Sequence, residues 1–232
     1  MHTDIKQAEK LGKHNKKGVS YEWKPSKGWY HALRVLFWLL FHTLWPLRVV
    51  GKENVPRKGA AIIVSNHLSM IDPFAVGFSA GRIVNYMAKE ELFRNPLVGF
   101  IIRRLGAFPV DRSRRDPASI RTALTVLKSG ELLGMFPEGT RSTTGELREL
   151  RAGAARLAAR TRTPIIPAAV YNTQRALPKG GFPRPARICV AFGKPFELTE
   201  LYDRNDKGEA MERALDTIKG NIEELLQVGA KA

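Results

Sequence analysis

From about residue 47 onward, short apolar runs alternate with stretches of helical period, and this alternation limits the fold more than any other feature of the chain. Residues 60–65, 84–88, 107–110, 132–136, 165–171 and 187–192 are apolar runs of strand length. The stretches between them carry helix punctuation. Asp72-Pro73 and Asp116-Pro117 each place a capping residue before a proline at the first helical position. After Pro117, Ile120, Ala123, Leu124 and Leu127 recur at i, i+3, i+4 and i+7, and the pattern stops at Gly130. Near the end, Met211, Leu215, Ile218, Ile222 and Leu225 form a second stripe. The alternation predicts one α/β domain with a mixed, mostly parallel central sheet flanked by helices.

Three segments are expected: a basic flexible arm over 1–28, a membrane-interface helical segment over 29–47, and a catalytic domain over 48–232. The arm carries seven lysines against Asp4, Glu9 and Glu22, with too few apolar residues to fold alone. The 29–47 run nearly reaches bilayer-spanning length, yet it contains His31, Arg34, His42 and Pro46, and no small-residue cleavage site follows it. On a helical wheel Leu33, Leu36, Phe37, Leu40, Phe41 and Leu44 share one face. His31, Arg34, Trp38, His42 and Trp45 oppose them. Such a helix suits the plane of a membrane interface. A helix packed on the domain, or a true span, are the alternatives.

Composition narrows the partners. With 44% hydrophobic and 26% charged residues the chain is no disordered polyelectrolyte, but 38 Lys+Arg against 22 Asp+Glu leave a formal charge of +16. Such a chain is attracted to polyanions: nucleic acid, an anionic membrane surface or phosphorylated substrates. No helix-turn-helix, zinc or RNA-binding signature is present, which argues against nucleic acid. The single cysteine, Cys189, lies in an apolar run and excludes a disulfide scaffold. No residues have metal-ligand spacing, so neither a metal nor another cofactor is expected.

Four polar segments coincide with strand ends. Asn66-His67 follows the first run, with Asp72 five positions after the histidine, where a carboxylate could orient an imidazole base if His67 lies in the turn. Gly106-Ala107-Phe108-Pro109-Val110-Asp111-Arg112 ends on a guanidinium suited to a phosphate. Phe136-Pro137-Glu138-Gly139-Thr140-Arg141-Ser142 joins a carboxylate, a glycine, hydroxyls and an arginine directly after a strand. Ile165-Ile166-Pro167 offers only an apolar wall or backbone donors. Taken singly, each is equally an ordinary turn, cap or core strand.

In this order, however, the four blocks resemble those of the glycerolipid acyltransferase family, specifically the 1-acyl-glycerol-3-phosphate (lysophosphatidic acid) acyltransferases of the bacterial PlsC type. The resemblance covers roughly residues 47–200, including Gly51 to Pro56 and Ala88-Lys89-Glu90-Glu91-Leu92. It implies transfer of an acyl group from acyl-CoA or acyl-carrier protein to the free hydroxyl of lysophosphatidic acid, without an acyl-enzyme. By the same resemblance His67 is the general base and Asp72 its orienting acid. Arg141, with Arg112 and Lys89, would bind the acceptor phosphate. Glu138, Gly139 and Thr140 complete the acceptor loop, Glu138 fixing the loop or an acceptor hydroxyl, and amides near the fourth block could stabilise the oxyanion. Membrane association on the cytoplasmic face follows from an amphiphilic acceptor. Another acceptor, such as glycerol-3-phosphate or a different lyso-lipid, and a non-enzymatic basic membrane- or nucleic-acid-binding module are the alternatives.

Overall fold

The computed structural model describes residues 26–111, 116–142, 144–202 and 208–230; Arg112 and nearly all of the basic arm lie outside the described residues. Seven strands form one sheet: β1 (Leu47–Val50), β2 (Ala61–Ser65), β3 (Val84–Lys89), β4 (Phe108–Val110), β5 (Leu132–Met135), β6 (Ile165–Tyr171) and β7 (Ile188–Phe192). Their order is β1-β7-β6-β2-β5-β3-β4, and every pair is parallel except β6 with β7. The expected mixed, mostly parallel sheet is present, with one strand more than the apolar runs indicated. That strand is β1, where the long N-terminal apolar run ends.

The helices are α1 (Lys27–Thr43), α2 (Asp72–Ser79), α3 (Pro96–Arg104), α4 (Pro117–Lys128), α5 (Gly153–Thr161), the short α6 (Thr173–Ala176) and α7 (Gly208–Ala230). Two apolar cores result. One places Ala75 and Val76 of α2 with Ile63, Leu132 and Ile166 of the sheet. The other buries the stripe of α7, including Ile218 and Ile222, with Val126 of α4 and Ala155 of α5. The central strand β2 is buried at every position, as a parallel strand covered on both faces must be.

The N-terminal helix corrects the wheel on two counts. It ends at Thr43, so Trp45 is not on it; that indole is buried and donates its Nε1–H to the Arg184 carbonyl at 3.0 Å. Its inward side is aromatic. The Tyr30 hydroxyl donates to the Gly77 carbonyl at 3.0 Å, and the Phe37 ring stacks on Phe74 at 4.7 Å. Val35, Leu36, Trp38 and Leu39 are exposed on the other side. Thus α1 packs on α2 and still displays a second apolar face. Seventeen residues give about 25 Å of helix against roughly 30 Å of hydrocarbon. Among the described residues no helix is long and apolar enough to cross a membrane.

Candidate active site

The parallel strands β2, β5, β3 and β4 deliver their carboxyl ends to one edge of the sheet, and the turns after β2 and β5 meet there. At the end of β2, Asn66 acts as an extra rung. Its Oδ1 accepts from the Val170 amide at 2.8 Å and its Nδ2 donates to the Val170 carbonyl at 3.0 Å, which ties the turn to β6. The next residue, His67, is pinned by its own backbone. Its amide donates to Glu138 Oε1 at 2.6 Å, and its carbonyl accepts from the Ser142 amide at 2.7 Å. Both partners belong to the turn after β5.

The imidazole is equally constrained. Nδ1 lies 2.8 Å from Asp72 Oδ2, and the ring stacks on Phe136 with 4.2 Å between centroids. A carboxylate can only accept, so in the neutral ring Nδ1 carries the proton and Nε2 keeps its lone pair. Asp72 is fully buried, whereas the His67 side chain retains 13% exposure. The same oxygen, Oδ2, accepts from the amides of Leu68 at 2.6 Å and Ser69 at 2.7 Å. Asp72 therefore is not the side-chain cap expected of an Asp-Pro pair. It stands inside the first turn of α2, the capping position is Ile71, and the carboxylate turns back to the chain before the helix. Pro73 permits this, because the amide it lacks would have no helical partner at that position. Ser69, two residues after the base, donates to the Leu177 carbonyl at 2.7 Å.

Glu138 is buried, and both its oxygens serve backbone amides, Oε1 that of His67 and Oε2 that of Arg148 at 3.1 Å. Burial pushes its carboxyl above the ordinary carboxylate range, and the two amides oppose that rise. Gly139 follows at φ +70°, and a Cβ there would stand 3.0 Å from the Arg151 guanidinium carbon, which lies across the turn. Thr140, exposed, and Arg141, partly exposed, come next, and Arg141 makes no hydrogen bond or ion pair among the described residues. Lys89 ends β3 at the same edge of the sheet, in an exposed ion pair with Glu91 at 3.3 Å. The structure thus brings His67, Asp72 and Glu138 into one bonded cluster, with Gly139 to Arg141 in the adjoining turn. Lys89 is not bonded to them.

The fourth block lies mid-sheet. Ile165 and Ile166 are fully buried, and the Ile165 amide donates to the Phe196 carbonyl at 2.8 Å, so that amide is not a free donor. Three contributors escaped the sequence reading: Phe136 as the surface under the imidazole, Ser142 as the donor to the His67 carbonyl, and Arg151 over Gly139. For Phe136 a signal existed. Met135 packs into one core, so the next residue faces the opposite side of the sheet, where His67 lies. Beyond Phe136 the Tyr86 ring stacks in turn at 5.7 Å. Its buried hydroxyl is pushed well above the ordinary phenol range, first by burial and further by Tyr30 and Asp72.

A family model described as Acyltransferase matches residues 46–171, which include β1 to β6 and the whole cluster. The chain belongs to the acyltransferase family. This acyltransferase is 39% identical over 182 residues to the 1-acyl-sn-glycerol-3-phosphate acyltransferase of Bacillus subtilis, covering 77% of the present chain and 87% of that protein. It is 32% identical over 212 residues to the enzyme of the same name from Saccharomyces cerevisiae, covering 88% and 67% respectively. Its fold is similar to that of the 1-acyl-sn-glycerophosphate acyltransferase PlsC from Thermotoga maritima, with a TM-score of 0.69 at 27% identity over 84% of this chain and 79% of the other.

Proposed function

We propose that this acyltransferase moves a fatty acyl group from acyl-CoA or acyl-carrier protein to the sn-2 hydroxyl of 1-acyl-glycerol-3-phosphate, giving phosphatidic acid. One observation carries the reading: His67 Nδ1 is held at 2.8 Å by a fully buried carboxylate, which leaves Nε2 as the basic nitrogen of a partly exposed ring. Nε2 takes the proton of the acceptor hydroxyl as its oxygen attacks the thioester carbonyl. The tetrahedral intermediate collapses with cleavage of the carbon–sulfur bond, and the imidazolium returns the proton to the thiolate. Asp72 supports the imidazolium during the step. Base catalysis of this kind contributes about 10²- to 10⁴-fold in rate.

Arg141, with no partner among the described residues, supplies the charge for the acceptor phosphate, and Lys89 and Arg112 are further cations for it. Glu138 holds the base in register through backbone amides. The outer face of α1 lies in an anionic membrane surface on the cytoplasmic side, which spares the acyl chain of the acceptor from water at about 0.8 kcal/mol per methylene. Free thiol released from an acyl thioester in the presence of lysophosphatidic acid tests the reaction. The native chain should release it and His67→Ala should not; equal release by both would refute the base assignment. Arg141→Ala should raise KM for lysophosphatidic acid more than for an acceptor lacking phosphate.

A further inference from the structure

A second apolar surface lies outside the site. The segment from Leu92 to Arg104 leaves the carboxyl end of β3, the same end of the sheet that carries His67. Leu92, Leu97, Val98 and Phe100 are exposed there, Leu97 at 68%. Gly99 is the only buried residue of α3. The helix leaves Leu97, Val98 and Phe100 exposed while Ile101 and Ile102 are only half-buried, and several exposed large side chains on one short segment mark a contact surface.

The surface adjoins α1. The Ser26 amide donates to the Arg104 carbonyl at 3.0 Å, and the Trp29 ring meets Phe100 edge-on at 5.4 Å. Its charge is one-sided. Neither α1 nor α3 contains an acidic residue, whereas α3 ends in Arg103 and Arg104, whose guanidinium carbons lie 5.0 Å over the Phe93 ring and 5.2 Å over the Phe100 ring. Apolar side chains beside cations with a tryptophan at the junction fit an anionic lipid leaflet, which accepts chains below the headgroups and cations at their level. A second copy of a chain with charge +16 would be repelled by the same surface.

We propose that α3 is a second membrane contact, which enters an anionic leaflet together with α1 and turns the carboxyl edge of the sheet toward the lipid. The proposal rests on the interfacial placement of α1. Two contacts fix an orientation that a single helix leaves free to roll.

The test uses the full chain and vesicles of mixed phosphatidylcholine and phosphatidylglycerol. Cys189 is buried, so Leu97→Cys or Leu39→Cys supplies one accessible thiol for an environment-sensitive fluorophore, and quencher-bearing lipids report its depth. Quenching at both positions is expected. Quenching at 39 alone overturns the role of α3 and leaves that of α1 standing, while quenching at neither overturns both. A label at 97 that shifts with protein concentration in the absence of lipid indicates self-association and also overturns the proposal. The double variant Leu97→Asp, Phe100→Asp should bind these vesicles about 10- to 100-fold more weakly, with unaltered circular dichroism and unaltered turnover of a short-chain, monomeric acceptor. Undiminished binding refutes the second contact.

Discussion

The dipeptide Asp-Pro occurs at the start of α2 and again at the start of α4, and its aspartate does opposite things. At α4, Asp116 Oδ1 accepts from the amides of Ala118 and Ser119, the local bonds of an N-cap, while Oδ2 accepts from Asp111. At α2, Asp72 leaves its own helix uncapped and spends one oxygen on Leu68, Ser69 and His67. A one-residue difference in position relative to the helix separates an aspartate that stabilises its own segment from one that serves another residue. Where a local rule of sequence is broken, a function is often the reason.

The same substitution at the two sites is the sharpest way to break this contrast. Asp72→Asn can keep an oxygen in place but removes the charge proposed to support the imidazolium, so turnover should fall about 10²- to 10⁴-fold with little loss of folded protein. Thiol release measured beside thermal unfolding separates the two effects. Glu138→Gln comes next. One of the amides of His67 and Arg148 loses its acceptor, at a cost of about 1–3 kcal/mol by denaturant unfolding.

Glu138 also supplies a pH signature. Because its pKa is raised in the folded state, the native protein holds its proton more tightly than the unfolded chain does. Its contribution is present in full below the unfolded pKa of about 4.5 and is lost as pH rises through the raised value. Denaturant unfolding followed over that interval should show the decline in the native chain and its absence in Glu138→Gln. Asp116→Ala gives up both the cap and the bond to Asp111, about 2 kcal/mol, with turnover unchanged. Asp116→Asn keeps the cap and loses the Asp111 bond, about 1 kcal/mol, again without effect on turnover. Should Asp116→Asn impair turnover as severely as Asp72→Asn, the division of roles is wrong.

The sheet was legible because strand signals are local. Apolar runs bounded by glycine, proline or charge locate β2 to β7 to within one residue at either end. β1 was hidden at the tail of a long apolar run, and its pairing with β7 is remote in the chain. α3 escaped notice although Leu97, Phe100 and Ile101 recur at helical spacing, and none of its apolar residues belongs to either core. In the site, the blocks containing His67, Asp72 and the residues from Glu138 to Arg141 were visible as polar groups after strands. What sequence could not show was that the bonds between these blocks run largely through backbone amides, from His67 to Glu138 and from Ser142 back to His67, since every residue but proline carries an amide hydrogen. Gly106 is a further case: at φ +92° it passes against the Asn85 side chain, a clash for any larger residue that only the folded chain displays.

Pro109, the middle residue of the three-residue border strand β4, has a consequence of another kind. An open sheet border invites edge-to-edge growth, and an enzyme gathered on a two-dimensional lipid film meets its neighbours far more often than one in bulk water. A border only three residues long, with a ring where the middle amide hydrogen would be, is a poor template for fibrils. If the chain works on a membrane as proposed, crowding there is thereby kept from becoming a route to aggregation.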